Sequence, residues 1–249
     1  MMDVKRVIWR YWDKRSQTYD ENGYNSQKEV RHFWKGLLED VIRTDESLKI
    51  LDVGTGTGFL ALLFAEMGHN VTGIDISRGM LEKARHNADK LKLTVDFMHC
   101  DAENLPFEDE TFDIVTNRHL LWTIPSPKVA IDEWCRAVKS GGRIMLIDGR
   151  WYDPTIDMRL RRFFGRIATF VTEKRSPRLF MSYYAKIKDQ LPFFDGSGSN
   201  YIVDLFTEAG LKNISLDNLE KLKEFENKSR SLAYRIANKP SLFLALGEK

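Results

Sequence analysis

Asp52-Val53-Gly54-Thr55-Gly56-Thr57-Gly58 is the stretch of this 249-residue chain whose residue types and spacing speak most directly of chemistry. Its alternate glycines follow the apolar run Lys49 to Val53 and precede the apolar stretch Phe59 to Met67, so they form a loop between a predicted strand and a predicted helix. Such a loop presents main-chain N–H groups to a ligand at the carboxyl edge of a parallel sheet. Two nucleotide signatures are excluded by the spacing. A dinucleotide fingerprint needs a glycine where Phe59 stands, and no Gly-Lys-Ser/Thr follows to make a P-loop. Further polar residues close the next predicted strands: Asp75 the second, Asp101-Ala102-Glu103 the third, and Asn117-Arg118-His119 the fourth. His119 is either a general base or, beside the apolar Leu120-Leu121-Trp122, a packed structural residue.

The elements that must position these groups can be read from periodicity. Val4, Val7, Ile8 and Tyr11, and then Val30, Phe33, Trp34, Leu37, Leu38 and Val41, predict two helices ahead of the core, with a break at Asp20 to Asn25. Gly68 caps the helix after the glycine loop. Asn70 to Asp75 is a second strand, Ser77 caps a helix through Met80, Leu81, Ala84 and Ala88, and Thr94 to Cys100 is a third strand. Phe112 to Thr116, a helix from Pro127 to Val138, and Gly142 to Asp148 complete an alternation that implies a parallel sheet covered on both faces. From 151 to 198 the pattern fails, and after Asp195-Gly196-Ser197-Gly198-Ser199 it resumes with a helix over Tyr201 to Gly210 and strands at Ile214 to Leu216 and Ser241 to Leu246. The expectation is an α/β fold: a Rossmann-like, seven-stranded, mostly parallel sheet with helices on both faces, N-terminal helices and an inserted helical cap. Residues 1–44 would be an N-terminal helical lid, 45–150 and 199–249 the core, and 151–198 the substrate cap.

Taken together, the glycine loop, Asp75, Asp101-Ala102-Glu103, Phe112-Asp113-Ile114-Val115 with Asn117, and Lys139-Ser140-Gly141-Gly142-Arg143 resemble the motif set of the class I S-adenosylmethionine-dependent methyltransferases. The branch most resembled includes ubiquinone and menaquinone C-methyltransferases, and the resemblance covers roughly residues 10–149. It implies S-adenosyl-L-methionine as cofactor, held by Tyr19, Asp52, Gly54, Thr55, Gly56, Gly58, Asp75, Ile76, Met80, Asp101, Ala102, Glu103 and Asn117. Within that set, glycines let the backbone approach the methionine moiety, and Asp75 accepts hydrogen bonds from both ribose hydroxyls. Asp101 resembles the acid that receives the adenine amino group, with Ile76 and Met80 packed against the ring or simply against their own helix. Asn117 would line the methionine end, and Tyr19 resembles a lid tyrosine.

The acceptor is less legible. Asn117-Arg118-His119-Leu120 lacks the Asn/Asp-Pro-Pro-Tyr/Phe sequence of relatives that methylate planar exocyclic amines. Arg118 is a candidate for a cofactor carboxylate or a substrate acid, Trp122 for the pocket wall, and Tyr183 and Tyr184 for the cap, against the alternatives of a surface ion pair and ordinary core. The segment 151–198 holds nine Lys and Arg against five Asp and Glu and is rich in aromatics, including Arg159, Arg161, Arg162 and Arg166. That composition suits a lid over an anionic or aromatic small molecule, or an amphipathic helix with a solvated basic face. The whole chain carries 38 Lys and Arg against 36 Asp and Glu, a formal +2, which excludes a generic polyanion binder. An RNA methyltransferase and a non-catalytic cofactor-binding partner protein remain as alternatives, though no RNA-binding module is visible. Cys100 and Cys135 are too few for a disulfide framework, a zinc site or soft metalloid capture, so no metal is expected. Without an 18-residue apolar stretch or a signal-peptide core, the sequence reads as cytoplasmic with no transmembrane segment; it leaves the oligomeric state open.

Overall fold

The computed structural model describes residues 3–19, 28–149, 177–194, 196, 198–229 and 242–249. The expected break at 20–25 and the first part of the expected cap, with Arg159, Arg161, Arg162 and Arg166, lie outside the described residues.

Two helices come first. In α1, Val4–Ser16, the Asp3 carboxylate caps the Arg6 N–H and Ile8 and Tyr11 turn inward. In α2, Lys28–Ile42, the buried Val30, Trp34, Leu38 and Ile42 recur every fourth residue and make one apolar stripe. Then β1 (Lys49–Val53) leads through the glycine loop into α3 (Phe59–Glu66), whose residues Phe59 to Phe64 are all buried. Such a helix is apolar all round because it sits between the sheet and α2. The series continues with β2 (Asn70–Asp75), α4 (Arg78–Leu91), β3 (Asp96–His99), β4 (Phe112–Arg118), α5 (Pro127–Ala137) and β5 (Val138–Gly149). After it come α6 (Pro177–Tyr184), α7 (Ser199–Glu208), β6 (Lys212–Asp217), α8 (Glu220–Ser229) and β7 (Leu242–Glu248).

The strands form one seven-stranded sheet in the order β3-β2-β1-β4-β5-β7-β6, parallel except for β7, which runs antiparallel to both neighbours. Strand order reverses between β1 and β4. At such a switch point the connecting segments part in opposite directions and leave a crevice beyond the carboxyl ends of the strands. Two apolar layers hold the sheet. One face packs Ile50, Met145 and Ile147 against Trp34 and Phe64; the other packs Val115 and Leu146 against Trp134 and Phe206. Because side chains alternate along a strand, Arg118 joins the first face, while Asn117 and Asp148 follow the second.

Several strand ends differ from expectation. β4 extends past Thr116 to Arg118 because Asn117 and Arg118 pair with Leu146 and Ile147 of β5, and β3 is shorter than the run Thr94 to Cys100. Helix α8 was not legible: its inward residues are sparse, and it is held by Leu222 and by Phe225 stacked on Phe33 with ring centroids 4.4 Å apart.

Candidate functional site

A cavity of about 630 Å³ opens at the carboxyl ends of β1, β2 and β4, roofed by α1 and bounded by Leu179 and Phe180 of α6. Its floor is the glycine loop, where the glycines serve different ends. Gly54 has φ +66°, and a Cβ there would sit 2.6 Å from Leu120 Cδ1, so the backbone is pressed against the wall. Gly56 has φ +57°, but its Cβ would meet nothing within 4 Å and would stand in open space beside the cavity. Gly58 turns the chain into α3 with its Cβ direction facing Ala84 and Leu62, which is a packing role.

Two carboxylates fix this floor. Asp52 is buried, accepting hydrogen bonds from Thr55 Oγ1 at 2.6 Å and from the Ala61 N–H at 3.1 Å. Burial pushes its pKa up to about 7, against the pull of those bonds and of the Arg118 charge. Asp75 closes β2 and accepts from the Gly56 N–H at 2.9 Å with one oxygen and from the Ser77 N–H at 2.8 Å with the other. Burial raises its pKa to about 6 although these bonds favour the ionised form. Each oxygen keeps a further lone pair for a ligand hydroxyl.

Next to Asp75, the wall is Ile76, Met80, Cys100, Asp101, Ala102 and Glu103. Here α1 supplies a group that sequence reasoning missed. Lys5 Nζ reaches Asp101 Oδ2 at 2.6 Å and also pairs with Glu103, whose other oxygen accepts from the Ser126 N–H. Asp13 of the same helix accepts from the Gly79 N–H at 2.9 Å, placing negative charge at the positive end of α4. Neither residue stands out in the sequence, because surface helices ordinarily carry such charges. Tyr19 lies at the rim, its main-chain oxygen accepting from Lys83 and its ring edge-on to Trp12.

The far end is aromatic. Trp122 stands 5.3 Å from Tyr184 and 6.0 Å from both Phe180 and Trp12, measured between ring centroids, and Tyr11 meets Tyr184 edge-on at 5.0 Å. Arg118 lies 4.1 Å over the Phe59 ring and 5.7 Å over Trp34, so its charge is held against an apolar face at the cavity wall. Beside it, His119 has φ +59°, a left-handed conformation strained for a residue with a Cβ. Its Nδ1 is 4.0 Å from Asp148 Oδ1. Burial lowers the His119 pKa; Asp148 opposes the shift and Arg118 adds to it.

Most of the predicted site residues therefore line one cavity, but four do not. Asn117 is fully buried beneath the wall, its side-chain amide without a hydrogen-bond partner among the described residues; the exposed wall at that height is Arg118 to Leu120. Gly58 packs under α4, as described. Tyr183 and Tyr184 sit behind the lining, packed on Tyr11, because the cavity-facing turn of α6 is one earlier, at Leu179 and Phe180.

Comparison with known proteins places this arrangement. A family profile described as a methyltransferase domain matches residues 51–146. A demethylmenaquinone methyltransferase of Clavibacter sepedonicus is 32% identical over 140 residues; the match spans 55% of this chain and only 56% of that protein's length. One from Staphylococcus epidermidis is 28% identical over 84% of this chain and 87% of its own. Among solved structures, a phosphoethanolamine N-methyltransferase of Haemonchus contortus, crystallised with phosphomonomethylethanolamine and S-adenosylhomocysteine, superposes with a TM-score of 0.63. At 17% identity it covers all of this chain and 60% of that one, a likeness of fold.

Proposed function

We propose that this chain is a class I S-adenosylmethionine-dependent methyltransferase similar to the menaquinone-type enzymes, and that its acceptor is a flat, ring-bearing small molecule of the quinol type. The observation that carries this reading is continuity: a single cavity joins the carboxylates Asp75 and Asp101 to Trp122 and Phe180. The cofactor fits the polar end on two grounds. The space beside Gly56 is one that a Cβ would enter, and the polar groups there are two carboxylates that accept from main-chain N–H groups and keep further lone pairs, suited to ribose hydroxyls and an amino group.

Asp75 would take the ribose hydroxyls and Asp101 the adenine amino group, with Ile76, Met80 and Ala102 against the ring. Tyr19 would close the rim, and Gly54, Thr55 and Asp52 would shape the floor. Bound there, S-adenosylmethionine supplies a methyl group on a positively charged sulfur. The chain itself has mainly to align the acceptor, and orientation can supply roughly 7–11 kcal/mol of a barrier. Trp122, Phe180 and Tyr11 give a ring surface for that alignment and exclude water, while Arg118 faces any anionic oxygen the acceptor carries. His119 would take the proton of a ring hydroxyl, leaving its electron pair on the acceptor and enriching the carbon to be methylated. The two parts of the relatives' name, demethylated quinone and methyl transfer, support this acceptor class. The segment 151–198, of which α6 is a described part, would act as the substrate cap.

Trp122→Ala tests the acceptor end. It is expected to raise KM for a short-chain demethylmenaquinol by roughly tenfold, the scale of one lost aromatic contact, with S-adenosylhomocysteine affinity unchanged by calorimetry. An unchanged KM contradicts the placement.

A further inference from the structure

We infer that Lys5 of α1 is a positioning residue for the adenine end of the cofactor site: its ammonium clamps Asp101 and Glu103 together and so fixes the carboxylate that meets the adenine amino group. The inference rests on the reading of Asp101 given above and adds to it a residue of the roof helix, 96 positions earlier in the chain.

The contacts of Asp101 show how it is held. Oδ1 accepts from the Glu103 N–H at 3.0 Å and Oδ2 accepts from Lys5 Nζ at 2.6 Å, so each oxygen is tied to a different donor and the carboxylate cannot turn without losing one of them. A carboxylate offers about four lone-pair positions, so two donors leave it able to accept from a ligand. The Asp101 side chain is 32% exposed and stands in the cavity wall. Glu103 is held more deeply. Its side chain is only 6% exposed, Oε1 accepts from the Ser126 N–H at 2.7 Å, and Oε2 pairs with Lys5.

Charge makes Lys5 the necessary member of this group. Asp101 and Glu103 put like charges on one wall, and a buried carboxylate is costly unless donors surround it. Among the described residues, Lys5 is the cation that pairs with either acid. Burial works against the charged amine, but the hydrogen bonds and charges of Asp101 and Glu103 outweigh it and raise the Lys5 pKa, so the clamp persists across neutral pH. Local preference does not account for a lysine at this position. Lys5 stands in the first turn of α1, where the helix dipole is positive and a cation is disfavoured. Nor is this a solvated rim contact of the kind that contributes little, because Glu103 is buried and all three residues line the cavity. The charge comes with α1, which Asp13 also fastens to the Gly79 N–H, so one helix sets both the adenine wall and the start of α4.

Calorimetry with S-adenosylhomocysteine and S-inosylhomocysteine tests this. The second ligand carries an oxygen where adenine has its amino group, so it cannot donate to Asp101 from that position. Wild-type protein should prefer the adenine ligand. Lys5→Met should weaken that ligand roughly tenfold, the scale of coupling between groups in one network, and the inosine ligand much less, so that the preference narrows. Equal losses for both ligands mean that Lys5 only seats the roof, and they overturn the inference. In Asp101→Asn, adding Lys5→Met should cost little more; losses that simply add contradict action through Asp101. If Lys5→Met fails to fold, Lys5→Gln carries the same comparison. A wild-type protein that binds both ligands alike contradicts the adenine placement itself, whereas a preference that Lys5→Met leaves intact contradicts only the role of Lys5.

Discussion

Asp75 holds each carboxylate oxygen against a main-chain N–H, one in the glycine loop and one at the start of α4, and so faces the cavity already oriented. A ribose that donates both hydroxyls to it would make two charge-assisted bonds, each worth about 1.5–3 kcal/mol when a charged partner is involved. Asp75→Ala is therefore expected to weaken S-adenosylhomocysteine binding by at least about tenfold in calorimetry; equal affinity in both proteins contradicts the assignment. The pH dependence has a definite sign. With its pKa raised to about 6, Asp75 is ionised above that pH and loses its acceptor capacity as it protonates below it. Affinity should hold between pH 7 and 8 and fall as pH drops through about 6, and in Asp75→Ala that fall should disappear. At this scale the sequence was informative where chemistry constrains the residue type, as at Gly56 and Asp75. It was silent on Lys5 and Asp148, because a helix lysine or a strand-end aspartate has the same identity whether it meets solvent or a partner far along the chain.

Helix α4 illustrates how an element places the site. Ser77 begins it with Oγ accepting from the Met80 N–H at 3.1 Å, and the Asp13 carboxylate of α1 accepts from the Gly79 N–H, so one helix start satisfies its donors from two segments. Met80 and Ile76 flank this cap and stand in the cavity wall. Ser77→Ala is expected to lower unfolding stability by about 1 kcal/mol, the usual worth of an N-cap, with an unchanged denaturant slope. A loss within about 0.2 kcal/mol of zero would mean the cap contributes nothing there. This helix and its cap were readable from Ser77 and the spacing of Met80, Leu81, Ala84 and Ala88. The attachment of α1 was not, since it depends on contacts 64 and 66 residues apart in the chain. The same applies to α6: aromatic richness raised the expectation of a cap, but which turn meets the cavity depends on how the helix docks against Tyr11 and Trp122.

For the molecule as a whole, sheet order explains why polar groups scattered from Asp52 to His119 meet. The reversal between β1 and β4 brings the carboxyl ends of β1, β2 and β4 to a common edge, and α1 and α6 cover that edge from opposite ends of the described sequence. Alternating strands and helices made the sheet legible, because a buried parallel sheet demands continuous apolar runs joined by helices. The proposed acceptor was not legible, because the side chains that would meet it are aromatics from α1, the segment after β4, and α6, which share no spacing rule. Near-neutral net charge remains consistent with a small acceptor, and no described helix is long and apolar enough to cross a membrane. The central claim is that this cavity brings a sulfonium methyl group and a flat quinol ring together. The most direct test is to incubate the protein with methyl-labelled S-adenosylmethionine and a reduced short-chain demethylmenaquinone, and to follow the label by mass spectrometry. The account predicts label in the ring product, with S-adenosylhomocysteine formed in equal amount and both lost in His119→Gln. Cofactor that binds but is never consumed, across quinol and related phenolic acceptors, would contradict it.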